Sequence, residues 1–179
     1  MRASATPVPS LSFTSLSPVA ATPMLAMPAS FPLAASDRLL SLVSEFRSLQ
    51  EPIERVKRLL DYAAVLPAFE DSSRMDSNRV PGCTAQVWVD VGMDGQGRMR
   101  FWADSDSEIA KGFCSCLMDI LDRAKPQEVM GMRAEELRVV NIGIVAHSRV
   151  NTWHHILVRM QSRTQELLNV PAMVTYLPR

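Results

Sequence analysis

The sequence predicts an α+β domain in which a small antiparallel sheet of about three strands is packed by several α-helices. From Gln86 to Val91, valines alternate with polar or aromatic residues, as in a strand with two different faces. The turn sequence Asp94-Gly95-Gln96-Gly97 follows, so the segment from Met99 to Trp102 is expected to return as the partner strand of a hairpin. Apolar residues at helical spacing on both sides of this hairpin predict the helices.

Two helices are expected before the hairpin. The first is capped by Ser36 or Asp37, and the second begins at Pro52 and ends at Pro67. Their apolar faces are formed by Leu39, Leu40, Val43 and Phe46 in the first helix and by Val56, Leu59, Leu60 and Ala63 in the second. A short strand over Arg79 to Pro81 is then expected to lead into a turn.

Four helical segments are expected after the hairpin. They run from a capping box at Ser105-Asp106-Ser107-Glu108 to about Arg123, from Pro126 to Gly131, from Arg133 to Val140, and from a cap at Asn151 or Thr152 to about Leu168. The apolar run from Asn141 to Val145 is too short to be assigned from its periodicity.

The composition fits one folded domain and excludes several classes of protein. Of the 179 residues, 47% are hydrophobic and 21% are charged, which suits a packed core. Lys+Arg and Asp+Glu both number 19, so no general attraction to nucleic acid or to a membrane surface is expected. No apolar run reaches the length of a transmembrane helix. Three cysteines at uneven spacing indicate a reducing compartment rather than a disulfide framework.

Residues 1–36 have the composition of an organelle targeting segment. They contain no Asp or Glu, one basic residue (Arg2) and six of the 12 prolines, with many Ser, Thr and Ala. This composition predicts a disordered transit peptide, and its shortage of arginine favours the chloroplast stroma over the mitochondrion, the alternative destination. A disordered tail without a targeting role is the other interpretation. We therefore expect a folded domain over residues 37–170 and a short tail over residues 171–179.

Cys83 is the most informative residue, because Pro81-Gly82 places its thiol in a turn directly before a strand. Gly82 can adopt a positive φ and lets another molecule approach closely. The thiolate is the reactive form of cysteine, and a thiol on such a turn can be reached by a partner. By itself the pattern is weak, and a small buried hydrophobe is the alternative. Cys114 and Cys116 face different directions inside a helix, which favours core packing over a shared metal site.

Three motifs, in the same order along the chain, resemble the SufE family. They are PGCTAQVWVD from Pro81, DSDSEIAKGF from Asp104, and HSRVN from His147. The resemblance extends from about Asp37 to Asn169. The chain departs from the family pattern at Thr152-Trp153, where the family usually has glycine and leucine. Because the chain stops shortly after the last helix, we expect a form without a fused further domain.

The resemblance implies both a fold and a function. SufE proteins have the SufE/IscU-like fold and are sulfur acceptors and activators of cysteine desulfurases in iron–sulfur cluster assembly. Cys83 would then be the persulfide intermediate that accepts sulfur from the desulfurase and hands it to a cluster scaffold protein. The pyridoxal phosphate belongs to the desulfurase, and no cofactor or metal is expected in this chain. We expect a sulfur carrier and activator rather than a stand-alone enzyme.

Six further residues are expected to support Cys83. They are Gly82, Gln86, Asp104, Asp106, Arg149 and Asn151. As a fixed cation near the thiol, Arg149 would favour the thiolate, while Gln86 and the two aspartates would hold the loop. Each has a structural alternative: the aspartates suit a helix N-terminus, and Asn151 suits a helix cap.

Other classes of function stay open at this point. One is a module that activates the desulfurase allosterically, with Cys83 dispensable. Another is a cysteine hydrolase, for which His147 is the candidate base. A scaffold that itself holds a cluster or zinc is disfavoured, because only one cysteine lies in a loop and no ligand spacing supports a metal.

Overall fold

The computed structural model of the chain describes residues 34–137 and 151–169, which form five helices and a β-hairpin. The elements are α1 (Ala35–Ser48), α2 (Pro52–Ala64), β1 (Val87–Met93), β2 (Met99–Ser105), α3 (Glu108–Leu121), α4 (Pro126–Gly131) and α5 (Thr152–Asn169). Short 3-10 turns occupy Asp71–Ser73, Asp76–Asn78 and Ala134–Leu137. Most of the expected targeting segment, the run Asn141–Val145 and the C-terminal tail lie outside the described residues.

The hairpin has the register that its turn sequence predicts. Strands β1 and β2 pair antiparallel from Val87 opposite Ser105 to Met93 opposite Met99. Gly97 has a φ of +74°, so the turn uses the conformational freedom that glycine provides. The valines of β1 point to one face and are buried, since Val87 and Val89 are both 0% exposed. Helices α3 and α5 contact the strands.

The α+β class is confirmed, with a sheet smaller than expected. Within the described residues the sheet contains β1 and β2, where about three strands were predicted. The predicted strand at Arg79–Pro81 is reduced to one isolated bridge between Arg79 and Trp88. The chain bends away at Pro81, which has no amide hydrogen to continue a ladder.

Helix α3 forms the centre of the core. Phe113, Leu117 and Ile120 are each 0% exposed, and the helix contacts α1, α2, α5 and β2. Because helices and a strand cover this helix on several sides, Cys114 and Cys116 are both 0% exposed although they face different directions. Core packing, the favoured interpretation of these two cysteines, is therefore what the structure shows.

Two details of the predicted first helix are wrong. Leu40 is 66% exposed, and Leu42 takes its place in the core with 2% exposure. The cap of α1 is Ala34, not Ser36 or Asp37, and the free Ala35 N–H donates instead to the Glu128 carboxylate at 3.1 Å. The Glu128 carboxylate of α4 therefore accepts a hydrogen bond that a local cap side chain usually accepts. For this reason α1 begins without a Ser, Thr, Asp or Asn at its cap position.

Gly112 allows α2 and α3 to approach closely. A Cβ built on Gly112 would lie 2.6 Å from Leu59 Cγ and would also collide with the Leu59 carbonyl oxygen. The second obstacle is backbone of α2, which cannot rotate aside as a side chain can. This contact fixes the spacing between two helices that share one of the largest interfaces of the domain.

We expect Gly112→Ala to lower the free energy of unfolding by about 1–3 kcal/mol, because the added methyl forces the two helices apart. Chemical denaturation followed by circular dichroism measures this change. Gly131→Ala is the matched control, since nothing lies within 4 Å of a Cβ there, and it should leave stability unchanged or slightly raised. Equal stability of the two variants would contradict the close packing.

Candidate functional site

Residues 81–86, here called the cysteine loop, project between the Arg79 bridge and strand β1. The loop is closed at its base by the Val80 N–H, which donates to the Val87 carbonyl at 2.8 Å. Gly82 has a φ of +78°, in the left-handed region that glycine adopts without strain. Cys83 follows directly, half-buried, with its side chain packed on the edge of the core. The loop expected from the sequence is thus present, and the Cys83 thiol on it is partly exposed to solvent.

The far end of the cysteine loop is tied to the end of β2. The Gln86 N–H donates to the Asp106 carboxylate at 2.9 Å, and the Gln86 carbonyl accepts from the Ser105 hydroxyl at 2.7 Å and the Asp106 N–H at 3.2 Å. Asp106 therefore holds the loop. Gln86 takes part through its backbone. The expected capping box is wrong, because Ser105 ends β2 and its hydroxyl is used by the loop; α3 is capped at Ser107 instead.

Asp104 anchors a different segment. Asp104 is 9% exposed as a residue, and its carboxylate pairs with the Arg74 guanidinium at 2.7 Å. Arg74 also contacts Asp71 at 3.2 Å and lies over the Trp88 ring, 5.7 Å from its centroid. This cluster holds the turns before the cysteine loop against the hairpin. The Trp88 ring packs beneath the Arg74 guanidinium.

A histidine that the sequence analysis missed lies beside the thiol. The Cys83 Sγ is 3.9 Å from Nδ1 of His155, on the first turn of α5. A Cβ on Gly82 would lie 3.0 Å from Cε1 of the same ring, so the glycine makes room for the imidazole. In α5, His155 lies between exposed His154 and buried Ile156, so its side chain is at the edge of the helix face that packs on the core. The sequence alone does not indicate that this edge of α5 contacts the cysteine loop.

The environment separates the three cysteines of the chain. Burial raises the pKa of the Cys83 thiol. Burial raises the pKa of Cys114 and Cys116 far more, and for Cys114 the neighbouring charge of Cys83 adds to the effect. Both core thiols are therefore kept neutral and out of reach. Cys83 is the thiol that a partner molecule can reach.

A pocket of about 200 Å³ opens next to the cysteine loop. It is lined by Thr84 and Ala85 of the loop, by Ser107, Ile109, Ala110 and Phe113 at the start of α3, and by Thr152. The Phe113 ring packs against the Trp153 ring at a centroid distance of 4.5 Å and an interplanar angle of 40°, so the core lies directly behind this wall of the pocket. The loop has space beside it into which a residue can turn.

The third motif is only partly described. Asn151 directly precedes α5, and its carbonyl accepts the His155 N–H at 2.9 Å, which is the first hydrogen bond of that helix. Arg149 and His147 lie outside the described residues. In the described part of the chain no group of His, Cys, Asp or Glu is arranged to hold a metal ion. Among those same residues no helix is long and apolar enough to cross a membrane.

The fold and site define a class: a small α+β domain that presents one half-buried cysteine on a glycine-containing loop. The chain matches the family model for SufE, the Fe-S metabolism associated domain, over residues 40–164. Because this match covers well over half of the 179 residues, the chain belongs to the SufE family, and the family resemblance drawn from the three motifs is confirmed.

Relatives with curated names support this membership. The chain is 62% identical over 135 residues to SufE-like protein 2, chloroplastic, of Arabidopsis thaliana, a match that covers 74% of this chain and 52% of that protein. It is 51% identical over 133 residues to quinolinate synthase, chloroplastic, of the same plant, covering 73% of this chain and 18% of that protein. The chain thus spans about half the length of the first relative and less than a fifth of the second.

A solved structure supports the fold. The solution structure of a hypothetical protein from Thermus thermophilus superposes with a TM-score of 0.61 at 21% identity. The superposition covers 74% of this chain and 97% of that one.

We expect Asp106→Ala to loosen the cysteine loop without unfolding the domain. The substitution removes the acceptor of the Gln86 N–H, a hydrogen bond worth about 1 kcal/mol, so amide exchange in residues 81–86 should become roughly fivefold faster. Hydrogen–deuterium exchange followed by mass spectrometry measures this. Glu108→Ala is the control, because its carboxylate pairs with Lys111 at 2.7 Å on the same helix turn. Exchange at the native rate in both variants would show that Asp106 does not hold the loop.

Proposed function

We propose that this chain accepts persulfide sulfur from a cysteine desulfurase on Cys83 and activates that enzyme by removing its product. The sulfur is then passed to a cluster scaffold protein for iron–sulfur cluster assembly. Membership of a family associated with Fe-S metabolism supports this class of function. The observation that carries the proposal is the contrast among the three cysteines: one is half-buried on a loop, and two are 0% exposed in the core.

The chemistry is an exchange between two sulfur atoms. The Cys83 thiolate attacks the outer sulfur of the desulfurase persulfide, a new S–S bond forms on Cys83, and the desulfurase thiolate leaves. The pyridoxal phosphate that releases sulfur from L-cysteine stays on the desulfurase. The chain itself supplies the acceptor thiol and a loop that reaches the partner, which makes it a carrier and activator.

The geometry of the loop supports both presentation and protection. Hydrogen bonds hold the loop at Val80 and Gln86, while the residues between them form the turn. The neighbouring pocket is lined by apolar side chains such as Phe113 and Ile109 together with the hydroxyl-bearing side chains of Thr84, Ser107 and Thr152. It offers a space beside the loop in which a bound sulfane sulfur is shielded from reductants in solution. A loop that opens towards the desulfurase and closes over the pocket serves both needs.

We propose that the protein acts in the chloroplast stroma. The acid-free, Ser- and Pro-rich residues 1–36 have a targeting composition, and the two relatives reported above carry the word chloroplastic in their names. The mitochondrion is the alternative. Import of a fluorescent protein fused behind residues 1–36 into isolated chloroplasts, with import into isolated mitochondria as the comparison, distinguishes the two.

We expect Cys83→Ser to abolish both sulfur uptake and activation of the desulfurase. The chain is mixed with a pyridoxal-phosphate cysteine desulfurase and L-cysteine without reductant, and its intact mass is measured. The native chain should gain the mass of sulfur, and the rate of alanine formation should rise. Cys114→Ala is the control, and it should behave as the native chain does, because Cys114 is 0% exposed.

Two outcomes would contradict this prediction. If Cys83→Ser still gains sulfur, another thiol is the acceptor. If Cys83→Ser gains none but still activates the desulfurase, the chain acts as an allosteric module in which the cysteine is dispensable.

A further inference from the structure

The imidazole of His155 is held against the cysteine loop by the packing of α5. Its neighbours Trp153 and Ile156 are 3% and 0% exposed, and the Trp153 ring packs against the Phe113 ring. The His155 N–H is bonded to the Asn151 carbonyl at 2.9 Å, so the first turn of the helix is formed. The backbone that carries the ring is therefore fixed relative to the core.

The ring faces the sulfur because Gly82 leaves it room. Nδ1 lies 3.9 Å from Cys83 Sγ, within the distance of a hydrogen bond to sulfur. A Cβ on residue 82 would lie 3.0 Å from Cε1 and 3.3 Å from both ring nitrogens. Gly82 and His155 are far apart in the sequence but pack against each other, and this packing places the imidazole beside the Cys83 thiol.

The thiol needs a partner of this kind. Burial disfavours the thiolate and raises the pKa of Cys83, and among the described residues no cation offsets this effect. A buried thiol without a proton acceptor is a poor nucleophile at neutral pH. An imidazole within hydrogen-bond distance of the thiol is the side chain best suited to take the proton, because histidine is the commonest general base in proteins.

We propose that His155 is the proton acceptor of Cys83. In the resting protein the Nδ1 lone pair faces the S–H group, and proton transfer yields a thiolate beside an imidazolium. That the thiolate then attacks the persulfide of a desulfurase is part of the proposed function, and this step of the inference rests on it. The other titratable groups recorded near this pair in the described chain are exposed His154, with its ring centroid 6.0 Å from that of His155, and buried, neutral Cys114.

The transfer step balances without any further reactant. The Cys83 S–H bond breaks and an N–H bond forms on His155. The thiolate attacks the outer sulfur of the partner's persulfide, one S–S bond forms on Cys83, and the S–S bond of the partner breaks. The partner's cysteine leaves as a thiolate and takes up a proton from water, while the imidazolium keeps the proton that came from Cys83. The sulfane sulfur keeps its oxidation state throughout.

Alkylation of Cys83 by iodoacetamide tests the pairing without any desulfurase. The rate is measured by mass spectrometry across about pH 6 to pH 10, and buried Cys114 and Cys116 do not compete. We expect His155→Ala to move the rise of the rate to higher pH and to slow alkylation at neutral pH about tenfold. Removal of the ring also gives iodoacetamide easier access to the thiol, which raises the rate at every pH. The test therefore compares the pH at which the alkylation rate rises, and not the rate at a single pH.

Two variants separate proton transfer from mere packing. His155→Asn keeps a polar side chain that can hydrogen-bond but cannot take the proton, so its pH profile should match that of His155→Ala. His154→Ala, the neighbouring exposed histidine, should give the native profile. A native profile in His155→Asn or His155→Ala overturns the proposal. Thermal melts of each variant confirm that the domain is folded.

Sulfur uptake in the mass assay separates this inference from the proposed function. If the native chain takes up sulfur and His155→Asn takes it up equally fast with a native alkylation profile, the proton acceptor is refuted and the proposed function stands. If the native chain takes up no sulfur while alkylation still depends on His155, the proposed function fails and the pairing stands. Slower uptake together with a shifted profile supports both.

Discussion

The backbone hydrogen bonds at the two ends of the cysteine loop are the constraint on which the site depends. At one end Val80 pairs with Val87, and at the other Gln86 is held by Ser105 and Asp106. These bonds belong to the edge of the hairpin, which the core holds in place through the buried valines of β1. These bonds fix both ends of the loop that presents Cys83, an arrangement that suits the carrier role proposed above.

Burial assigns different roles to chemically identical groups in this small domain. In α3 the thiols are surrounded by core and behave as small hydrophobes. On the loop, Cys83 is covered only in part, and burial raises the pKa of its thiol. The contact with His155, proposed above as the proton acceptor, would offset this effect of burial. Protection and reactivity are thus set by one loop and one helix turn.

Local chemistry predicts more of this structure than long-range contacts do. The helices, the hairpin turn and the loop around Cys83 follow from proline and glycine positions and from apolar spacing. The errors occur where a group finds its partner far along the chain. The Ser105 hydroxyl bonds to Gln86 instead of capping α3, the N-terminus of α1 uses Glu128, and His155 meets Gly82 from a distant part of the sequence. The periodicity of a single sequence cannot predict these contacts, because each contact depends on how distant helices, strands and loops pack together.

The placement of the two partners also orders the proposed reaction. His155 stands on a helix whose first turn is fixed by Trp153 and Ile156, whereas Cys83 stands on a loop. In the proposed reaction the loop opens towards a desulfurase, so the thiol moves while the imidazole stays on its helix. Proton transfer must then take place while the loop is closed or as it leaves, and the thiolate carries its charge outward into water, where it is better solvated. Return of the loop brings the sulfur-loaded cysteine back beside the imidazolium, which can stabilise the persulfide anion until it is passed on.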